Sequence, residues 1–281
     1  MASRMSKKLR QLALDISLDD RSKYLREMCI QTLESGKRAH LGSAMSIIEI
    51  IRVLYDDFLR FDTKKTDDYK RDRFILSKGH GCLAQYVLLA DKGFFPKSEL
   101  LKFCHLRSIL GGHPEYGKIP GVEASTGSLG HGLSLGVGMA LAARIQGRES
   151  RIIVVIGDGE SNEGSIWEAA LSASKHELSN LTVMIDYNGI QSYDYVSEVL
   201  PLEPFSEKWS SFGFSVQEIN GHDVGCLQRT LSRLPLDMNK PTAIICHTVK
   251  GKGFPFAENN PFWHHKSNLT PEEIRGMYQS L

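Results

Sequence analysis

Two buried-strand patterns separated by a helical pattern are the feature that most constrains how this chain folds. The first, at 152–156, is wholly apolar, and the second, at 181–185, contains a single threonine. The segment between them, 162–176, has the pattern of a helix. Strands this apolar are buried on both faces, and a helix that joins two of them makes them parallel neighbours. The sequence therefore predicts an α/β fold with a parallel sheet.

The rest of the chain repeats this alternation of helices and strands. Further helical patterns occur at 20–36, 46–59, 82–92, 97–105, 130–147, 204–212, 223–235 and 270–281. Further strand patterns occur at 73–77, 214–219 and 242–248. Alternation of this kind predicts a parallel sheet flanked by helices on both faces. At 281 residues the chain has room for one large domain or two small ones, but no Pro/Gly/Ser-rich linker divides it. We expect a single domain over residues 1–281.

Polar residues follow both of the strands that define the fold. Gly157, Asp158 and Gly159 come directly after the first strand, and Asn188 follows the second. Ligands of open α/β sheets bind at the carboxyl ends of the strands, where these residues lie. A carboxylate, an amide oxygen and a backbone carbonyl suit a small hard cation that takes its other oxygens from a diphosphate. The competing interpretation is a plain Asp-Gly turn.

Composition and motifs exclude several other classes of protein. There are 34 basic and 33 acidic residues, which gives no support for a nucleic acid or membrane-surface partner. No G-x-G-x-x-G follows a strand, and no P-loop motif is present. The five cysteines form no C-x-x-C pair, and we expect free buried thiols in a reducing compartment. No signal peptide and no apolar run of membrane-spanning length is found, so we expect a cytoplasmic protein.

Four loops rich in glycine and histidine precede the strand at 152–156. They lie at 39–43, 76–81, 111–115 and 120–132. With these loops and the Gly-Asp-Gly and Asn-Gly elements, the chain resembles the N-terminal, diphosphate-binding part of transketolase from about residue 20 to about residue 270. The resemblance implies the thiamine diphosphate-binding fold, with thiamine diphosphate and Mg²⁺ as cofactors.

The resemblance also implies roles for individual residues. The metal ligands are expected to be Asp158, Asn188 and the backbone carbonyl of Ile190. The residues expected to contact the cofactor are His80, Gly127, Leu129, Gly157, Gly159, Glu163 and Asn188. The histidines expected to line the substrate channel and move protons are His40, His113 and His264. Imidazole suits proton transfer near neutral pH because its unperturbed pKa lies there.

Several positions have no settled role in this comparison. His131 stands where the family usually has Gln, and we expect it to lie near the cofactor without acting as a catalyst. Lys250 and Lys252 could meet an anion, although lysines of such loops are more often solvated. Glu163 either couples two active sites across a subunit interface, as the resemblance implies, or complements a helix dipole.

The resemblance implies transfer of a two-carbon ketol unit from a ketose, normally phosphorylated, to an aldose. The glutamate that activates the cofactor belongs, in this family, to a pyrimidine-binding domain that would follow the present sequence. We therefore expect a second subunit with the pyrimidine-binding and C-terminal domains, in an α2β2 heterotetramer. The alternatives are an α subunit of a 2-oxo acid dehydrogenase, a deoxyxylulose phosphate synthase-like enzyme, or a catalytically silent regulatory subunit. The sequence does not identify the two sugars.

Overall fold

A computed structural model describes residues 4–37, 39–266 and 269–281. The strands are β1 (Arg73–Leu76), β2 (Ile152–Gly157), β3 (Leu181–Tyr187), β4 (Ser215–Asn220) and β5 (Thr242–His247). The α-helices are α1 (Arg4–Asp15), α2 (Asp20–Gly36), α3 (Leu41–Met45), α4 (Ile48–Val53), α5 (Cys82–Asp91), α6 (His131–Ile145), α7 (Gly164–Lys175), α8 (Val196–Val199), α9 (Phe205–Ser211), α10 (Val224–Leu231) and α11 (Pro271–Gln279).

The five strands form one parallel sheet in the order β1-β2-β3-β5-β4. The register pairs Gly157 with Asp186 and Tyr187 with His247, so neighbouring strands end close to one another. The predicted α/β fold is confirmed, and so is the pairing of β2 with β3. Because the strands are parallel, the segments that follow β1, β2, β3 and β5 all emerge at one edge of the sheet.

The two faces of the sheet carry separate hydrophobic cores. Along β2, Ile152, Val154 and Ile156 face one core, in which α6, α7 and α9 pack. Ile153 and Val155 face the other, which α2, α4 and α5 cover. This alternation follows from the two-residue period of a strand and explains why the strand sequences are apolar throughout. Each fully buried side chain of this size stabilises the fold by about 1.5–3 kcal/mol.

The structure differs from the predicted pattern in several places, which include the short helices α3 and α8 that the pattern does not predict. Helix α1, which the sequence pattern does not predict, packs against β4 and β5. Only Ser6 and Ala13 of α1 are buried, although Met5, Leu9, Leu12 and Ala13 have the spacing of one apolar helix face. The predicted helix at 97–105 is a 3₁₀ helix over Lys97–Lys102. The predicted helix at 46–59 is α4 continued by a π-helix over Leu54–Phe58.

No disulfide joins the cysteines of the described residues, and three of the five, Cys29, Cys82 and Cys246, are buried. The other two, Cys104 and Cys226, are half-buried, so the expectation of buried thiols holds for three of five. Within the described ranges, no helix combines the length and the apolar character that crossing a membrane requires.

The glycines of α6 allow this helix to lie close to the sheet. A Cβ at Gly136 would stand 2.5 Å from Val154 Cγ2, and one at Gly132 would stand 2.4 Å from Ser77 Oγ. A Cβ at Gly138 would meet no heavy atom within 4 Å. Close packing therefore explains the glycines at 132 and 136 but not the one at 138.

Gly136→Ala should destabilise the chain, whereas Gly138→Ala should stabilise it. The first substitution overpacks the helix–sheet contact, at a cost of about 1–3 kcal/mol. The second adds a side chain in open space and gains helix propensity, about 0.5–1 kcal/mol. Urea unfolding of the two variants measures both effects. Equal stability of the two variants would contradict the packing described here.

Candidate active site

The segments that follow β1, β2, β3 and β5 surround one cavity of about 360 Å³. Its lining includes every residue to which the resemblance assigns a metal-binding, cofactor-contacting or catalytic role: His40, His80, His113, Gly127, Leu129, Gly157, Asp158, Gly159, Glu163, Asn188, Ile190 and His264. These residues are separated by as many as 224 positions in the sequence. The cavity has the size of a small-molecule site.

Asp158 and Asn188 lie side by side at the base of the cavity. The carboxylate of Asp158 accepts hydrogen bonds from the backbone amides of Gly159 and Gly189. The side-chain oxygen of Asn188 accepts from the amide of Ile190 at 3.0 Å. Burial and the nearby charge of Asp186 raise the pKa of Asp158. Two buried carboxylates close together form an electrostatic environment that a divalent cation would relieve.

Asp186, the β3 residue two positions before Asn188, is the most connected group at this edge of the sheet. It forms a buried salt bridge with Lys78 and accepts hydrogen bonds from Ser46, Thr248 and Asn188. Burial alone would raise the pKa of this carboxyl, but Lys78 and the hydrogen bonds outweigh it and hold the pKa below its usual value. Sequence reasoning missed Asp186 and Lys78, because a charged residue in a strand or just after one gives no signal of its distant partner.

Lys250 is buried against the cavity, with 2% of its surface exposed. Its ammonium group donates to the carbonyl of Ile190 at 2.8 Å. Burial and the charge of Lys78 lower the pKa of Lys250. Lys252 is also buried, but its ammonium group donates to the carbonyl of Leu14, outside the cavity. The expectation that these lysines are solvated is wrong for both, because the loop folds back under α2 and α3.

Four predicted histidines meet in the cavity, and a fifth, His265, joins them. The ring centroid of His40 lies 5.4 Å from that of His80, 6.2 Å from that of His113 and 5.5 Å from that of His264. Burial and neighbouring positive groups lower the pKa of His40 to about 4 and that of His264 to about 2. The pKa of His80 is also well below its usual value, chiefly because of burial. These three imidazoles are therefore neutral at neutral pH.

Buried polar atoms without a partner point to a polar ligand. Among the described residues that line the cavity, Ser43 Oγ, Gln191 Nε2 and His264 Nδ1 are buried and form no hydrogen bond. An unsatisfied buried polar group costs about 1–3 kcal/mol. A ligand with several oxygens would supply the missing partners.

Two glycines shape the cavity wall. Gly127 has φ +135°, and a Cβ there would lie 2.7 Å from the His113 ring. A Cβ at Gly159 would lie 2.6 Å from Gln191 Cβ. Both positions therefore exclude larger residues, because a side chain would displace a cavity-lining neighbour. At Gly159 the contact with the loop that carries Gln191 is enough to exclude a larger residue, whether or not a phosphate also lies there.

Glu160 holds three loops together beneath the cavity. Its carboxylate accepts from the amides of Gly130 and Gly157 and from the hydroxyl of Ser77. Burial raises the pKa of this carboxyl. Helix α1 supports the other side, because Arg10 donates to the carbonyl of Asn188 at 3.1 Å. Sequence reasoning missed both contacts, since each depends on tertiary structure.

The sequence matches the family "Transketolase, thiamine diphosphate binding domain" over residues 19–281. The chain belongs to this family. It is 39% identical to one of the named subunits of the apulose-4-phosphate transketolase of Phocaeicola vulgatus, over 89% of this chain and 88% of that relative. It is 37% identical to the 6-deoxy-6-sulfo-D-fructose transketolase subunit SqwG of Clostridium sp., over 92% and 93% of the two chains.

Solved transketolases share the fold. Transketolase from Leishmania mexicana superposes with a TM-score of 0.85 and 30% identity. The match covers 93% of this chain and 41% of that chain, so the present chain spans less than half of the solved transketolase. The related subunits are enzymes of carbohydrate metabolism by name, and this chain is a transketolase-type, thiamine diphosphate-binding enzyme subunit.

The edge of the cavity and its surroundings carry three exposed polar residues, His131, Ser128 and Glu163. His131 is exposed at the start of α6, and its Nδ1 is hydrogen-bonded to the carbonyl of Leu129. It is not among the residues that line the cavity. Ser128 is likewise exposed. Glu163, at the cavity rim, is exposed and precedes α7.

The pH dependence of stability should report the neutral histidines. The pKa of His264 falls from 6.5 to about 2 on folding, so between these values the unfolded chain binds a proton that the folded chain does not. Stability is therefore lost as the pH falls through this range. His264→Asn should make the loss of unfolding free energy between about pH 7 and pH 5 smaller than in the parent.

The comparison with the parent is needed because Asp158 acts in the opposite direction. Because folding raises the pKa of Asp158, the folded chain binds this proton more tightly than the unfolded chain in part of the same pH range. The exposed His131 supplies the matched control, since His131→Asn removes an imidazole outside the cavity. Identical pH profiles of His264→Asn and the parent would contradict the assignment of His264 as a buried neutral imidazole.

Proposed function

We propose that this chain is the thiamine diphosphate- and Mg²⁺-binding subunit of a two-chain transketolase, which transfers a two-carbon ketol unit from a ketose to an aldose. The observation that carries the proposal is the shared cavity. Its base presents oxygen ligands from Asp158, Asn188 and Ile190, and its wall presents neutral imidazoles. An oxygen-lined metal site beside proton-transfer groups suits a diphosphate cofactor that performs carbonyl chemistry.

Mg²⁺ would be held by the carboxylate of Asp158, the side-chain oxygen of Asn188 and the carbonyl of Ile190. These are hard oxygen donors, and Mg²⁺ completes its shell with phosphate oxygens and water. Lys250 donates to the Ile190 carbonyl in the present structure. Binding of Mg²⁺ to this oxygen would release the ammonium group toward the incoming anion.

The diphosphate would meet positive and donor groups on several sides. Lys250, His80 and the partnerless amide of Gln191 lie around the same cavity as Asp158. Gly157 and Gly159 border the position proposed for the phosphates, and the N-terminus of α7 follows at Gly164. Backbone amides and the positive end of a helix favour an anion here.

Thiamine diphosphate supplies, when bound, the electron-accepting chemistry for breaking and forming a carbon–carbon bond beside a carbonyl group. The chain's own residues would position the reactants and move protons. His40 and His264, which burial keeps neutral, would exchange protons with the sugar's hydroxyl and carbonyl oxygens once a bound anion raises their lowered pKa. His113, which is exposed at the cavity mouth, would meet the substrate, and Leu129 would pack on the cofactor ring.

A partner chain would complete the active site. Two relatives are named as transketolase subunits, and their matches to this chain span 88% and 93% of their own lengths. We propose a second subunit with the pyrimidine-binding and C-terminal domains, an α2β2 assembly, and a cytoplasmic location. Glu163 at the exposed rim is the residue placed to couple two sites across such an interface.

The substrates should be sugars with an anionic terminus. The relatives are named for apulose-4-phosphate and for 6-deoxy-6-sulfo-D-fructose, one a phosphate and the other a sulfonate. The family match favours transketolase over the α subunit of a 2-oxo acid dehydrogenase. A silent regulatory subunit is opposed by the retention of Asp158, Asn188 and the four histidines in one cavity.

Asp158→Asn should abolish Mg²⁺-dependent binding of thiamine diphosphate while leaving the fold intact. The amide keeps the shape and one of the two acceptor oxygens, but its nitrogen loses one backbone hydrogen bond, and the charge that holds a divalent cation is removed. Calorimetric titration of cofactor with and without Mg²⁺ measures the loss. Glu198→Gln, an exposed change on α8, is the control. Parent-like, Mg²⁺-dependent binding by Asp158→Asn would remove the metal assignment.

Lys250→Met and Lys252→Met form a matched pair two positions apart. The first removes an ammonium group from the cavity, and the second removes one that donates to Leu14 outside it. A charge-assisted hydrogen bond is worth about 1.5–3 kcal/mol, so Lys250→Met should weaken cofactor binding by roughly ten- to a hundredfold. Lys252→Met should lower thermal stability and leave cofactor affinity unchanged. Equal cofactor affinity of both variants would exclude contact between Lys250 and the diphosphate.

The chain alone should bind the cofactor but catalyse no ketol transfer, whereas addition of the partner chain should produce turnover. The reason is that the activating glutamate is supplied by the partner. A coupled assay with a phosphorylated and a sulfonated donor measures both states. Turnover by the chain alone would contradict the two-chain proposal, and absence of turnover with the partner would favour the silent-subunit alternative.

A further inference from the structure

We propose that His40, His264 and His265 form a second metal site, for a divalent transition-metal ion such as Zn²⁺, on residues different from those proposed to hold Mg²⁺. One ring nitrogen from each of the three lies within 4.8 Å of the others. The ring centroids of His264 and His265 are 4.3 Å apart, and those of His40 and His265 are 5.1 Å apart. Three converging imidazoles are a ligand set that Zn²⁺ prefers.

The hydrogen bonds of these histidines leave room for a metal. Nδ1 of His264 is buried and has no hydrogen-bond partner among the described residues, while His264 as a whole is only 6% exposed. His265 is held by the hydroxyl of Ser192, which lies 2.6 Å from its Nε2. Metal-ligating histidines commonly have such a supporting contact, which fixes the ring. Burial also favours the neutral form of His40 and His264, the form that binds a metal.

A metal would require a small closure of the three rings. Zinc–nitrogen bonds of about 2.0–2.1 Å place tetrahedral ligands about 3.3 Å apart. His265 and Ser192 are both exposed, so a small joint shift of the two side chains can supply this movement while their hydrogen bond is kept. Lys78 and Lys250 are nearby positive groups that oppose a cation. The buried carboxylates of Asp186 and Asp158 offset their charge.

The two proposed metal sites differ in chemistry. Asp158, Asn188 and Ile190 offer oxygen atoms, which suit Mg²⁺, whereas the imidazoles suit Zn²⁺, Co²⁺ or Ni²⁺. The two sites share no ligand, so each can be removed by substitution without deleting a ligand of the other. An ion at the imidazoles would take His40 and His264 away from the sugar and inhibit transfer, a consequence that rests on the proposed function. Binding of the ion itself does not rest on it.

The test is a titration of the full chain with Co²⁺, without cofactor, sugar or partner. Co²⁺ is followed by its visible absorption, and Zn²⁺ is then added as a competitor. We expect one equivalent of Co²⁺ with a spectrum of nitrogen ligation, displaced by Zn²⁺. His265→Asn should weaken binding at least about tenfold, the effect expected even for the loss of a supporting contact. His265 is exposed, so this variant should fold, which circular dichroism checks.

Two further variants separate the histidine cluster from other sites. His131→Asn removes an exposed imidazole outside the cavity, and Asp158→Asn removes the carboxylate of the proposed Mg²⁺ site. His131→Asn should bind Co²⁺ as the parent does. Asp158→Asn should keep the spectrum of nitrogen ligation with a somewhat lower affinity, because it removes one of the charges that offset the lysines. The proposal is overturned if His265→Asn binds Co²⁺ as tightly as the parent, or if Asp158→Asn loses the absorption band. Either result would place the ion elsewhere, whatever the activity of the assembled enzyme.

Discussion

The buried salt bridge between Lys78 and Asp186 is the interaction on which the rest of the site depends. It joins the segment after β1 to the end of β3, and Asp186 also accepts from Thr248 after β5 and from Asn188. Removing one partner of a buried pair typically costs about 3–5 kcal/mol, because the other charge is left unpaired. This pair therefore fixes the spacing of three of the strand ends that form the cavity, and with it the position of Asn188.

The same pair divides the electrostatics of the cavity into two parts. On one side, burial and the charge of Asp186 raise the pKa of Asp158. A cation bound there would stabilise the ionised carboxylate. On the other, burial and the positive charges of Lys78 and Lys250 keep His40 and His264 neutral. The cavity therefore has carboxylates at its floor and neutral imidazoles along its wall. This separation explains how one small site could hold a metal diphosphate and transfer protons.

Much of the site is predictable because it depends on local sequence. The apolar strands that precede Asp158 and Asn188 reveal these two residues, and the glycine-rich loops reveal the histidines. The buried state of Lys250, the roles of Asp186 and Glu160, and the support of helix α1 have no such signal. Each depends on which segments pack together, and a polar residue carries no sequence signal of its distant partner. The roles of the site residues in binding and catalysis stay predictions.

The central claim is that Asp158, Asn188 and the Ile190 carbonyl hold the metal of a diphosphate cofactor. The most direct measurement is a crystal structure of the chain grown with thiamine diphosphate and Mn²⁺ in place of Mg²⁺. An anomalous difference map locates the ion independently of the protein atoms. The account predicts a peak bonded to these three oxygens at about 2.0–2.3 Å, with diphosphate oxygens completing its shell. A cofactor-bound structure whose manganese lies away from Asp158 would contradict it.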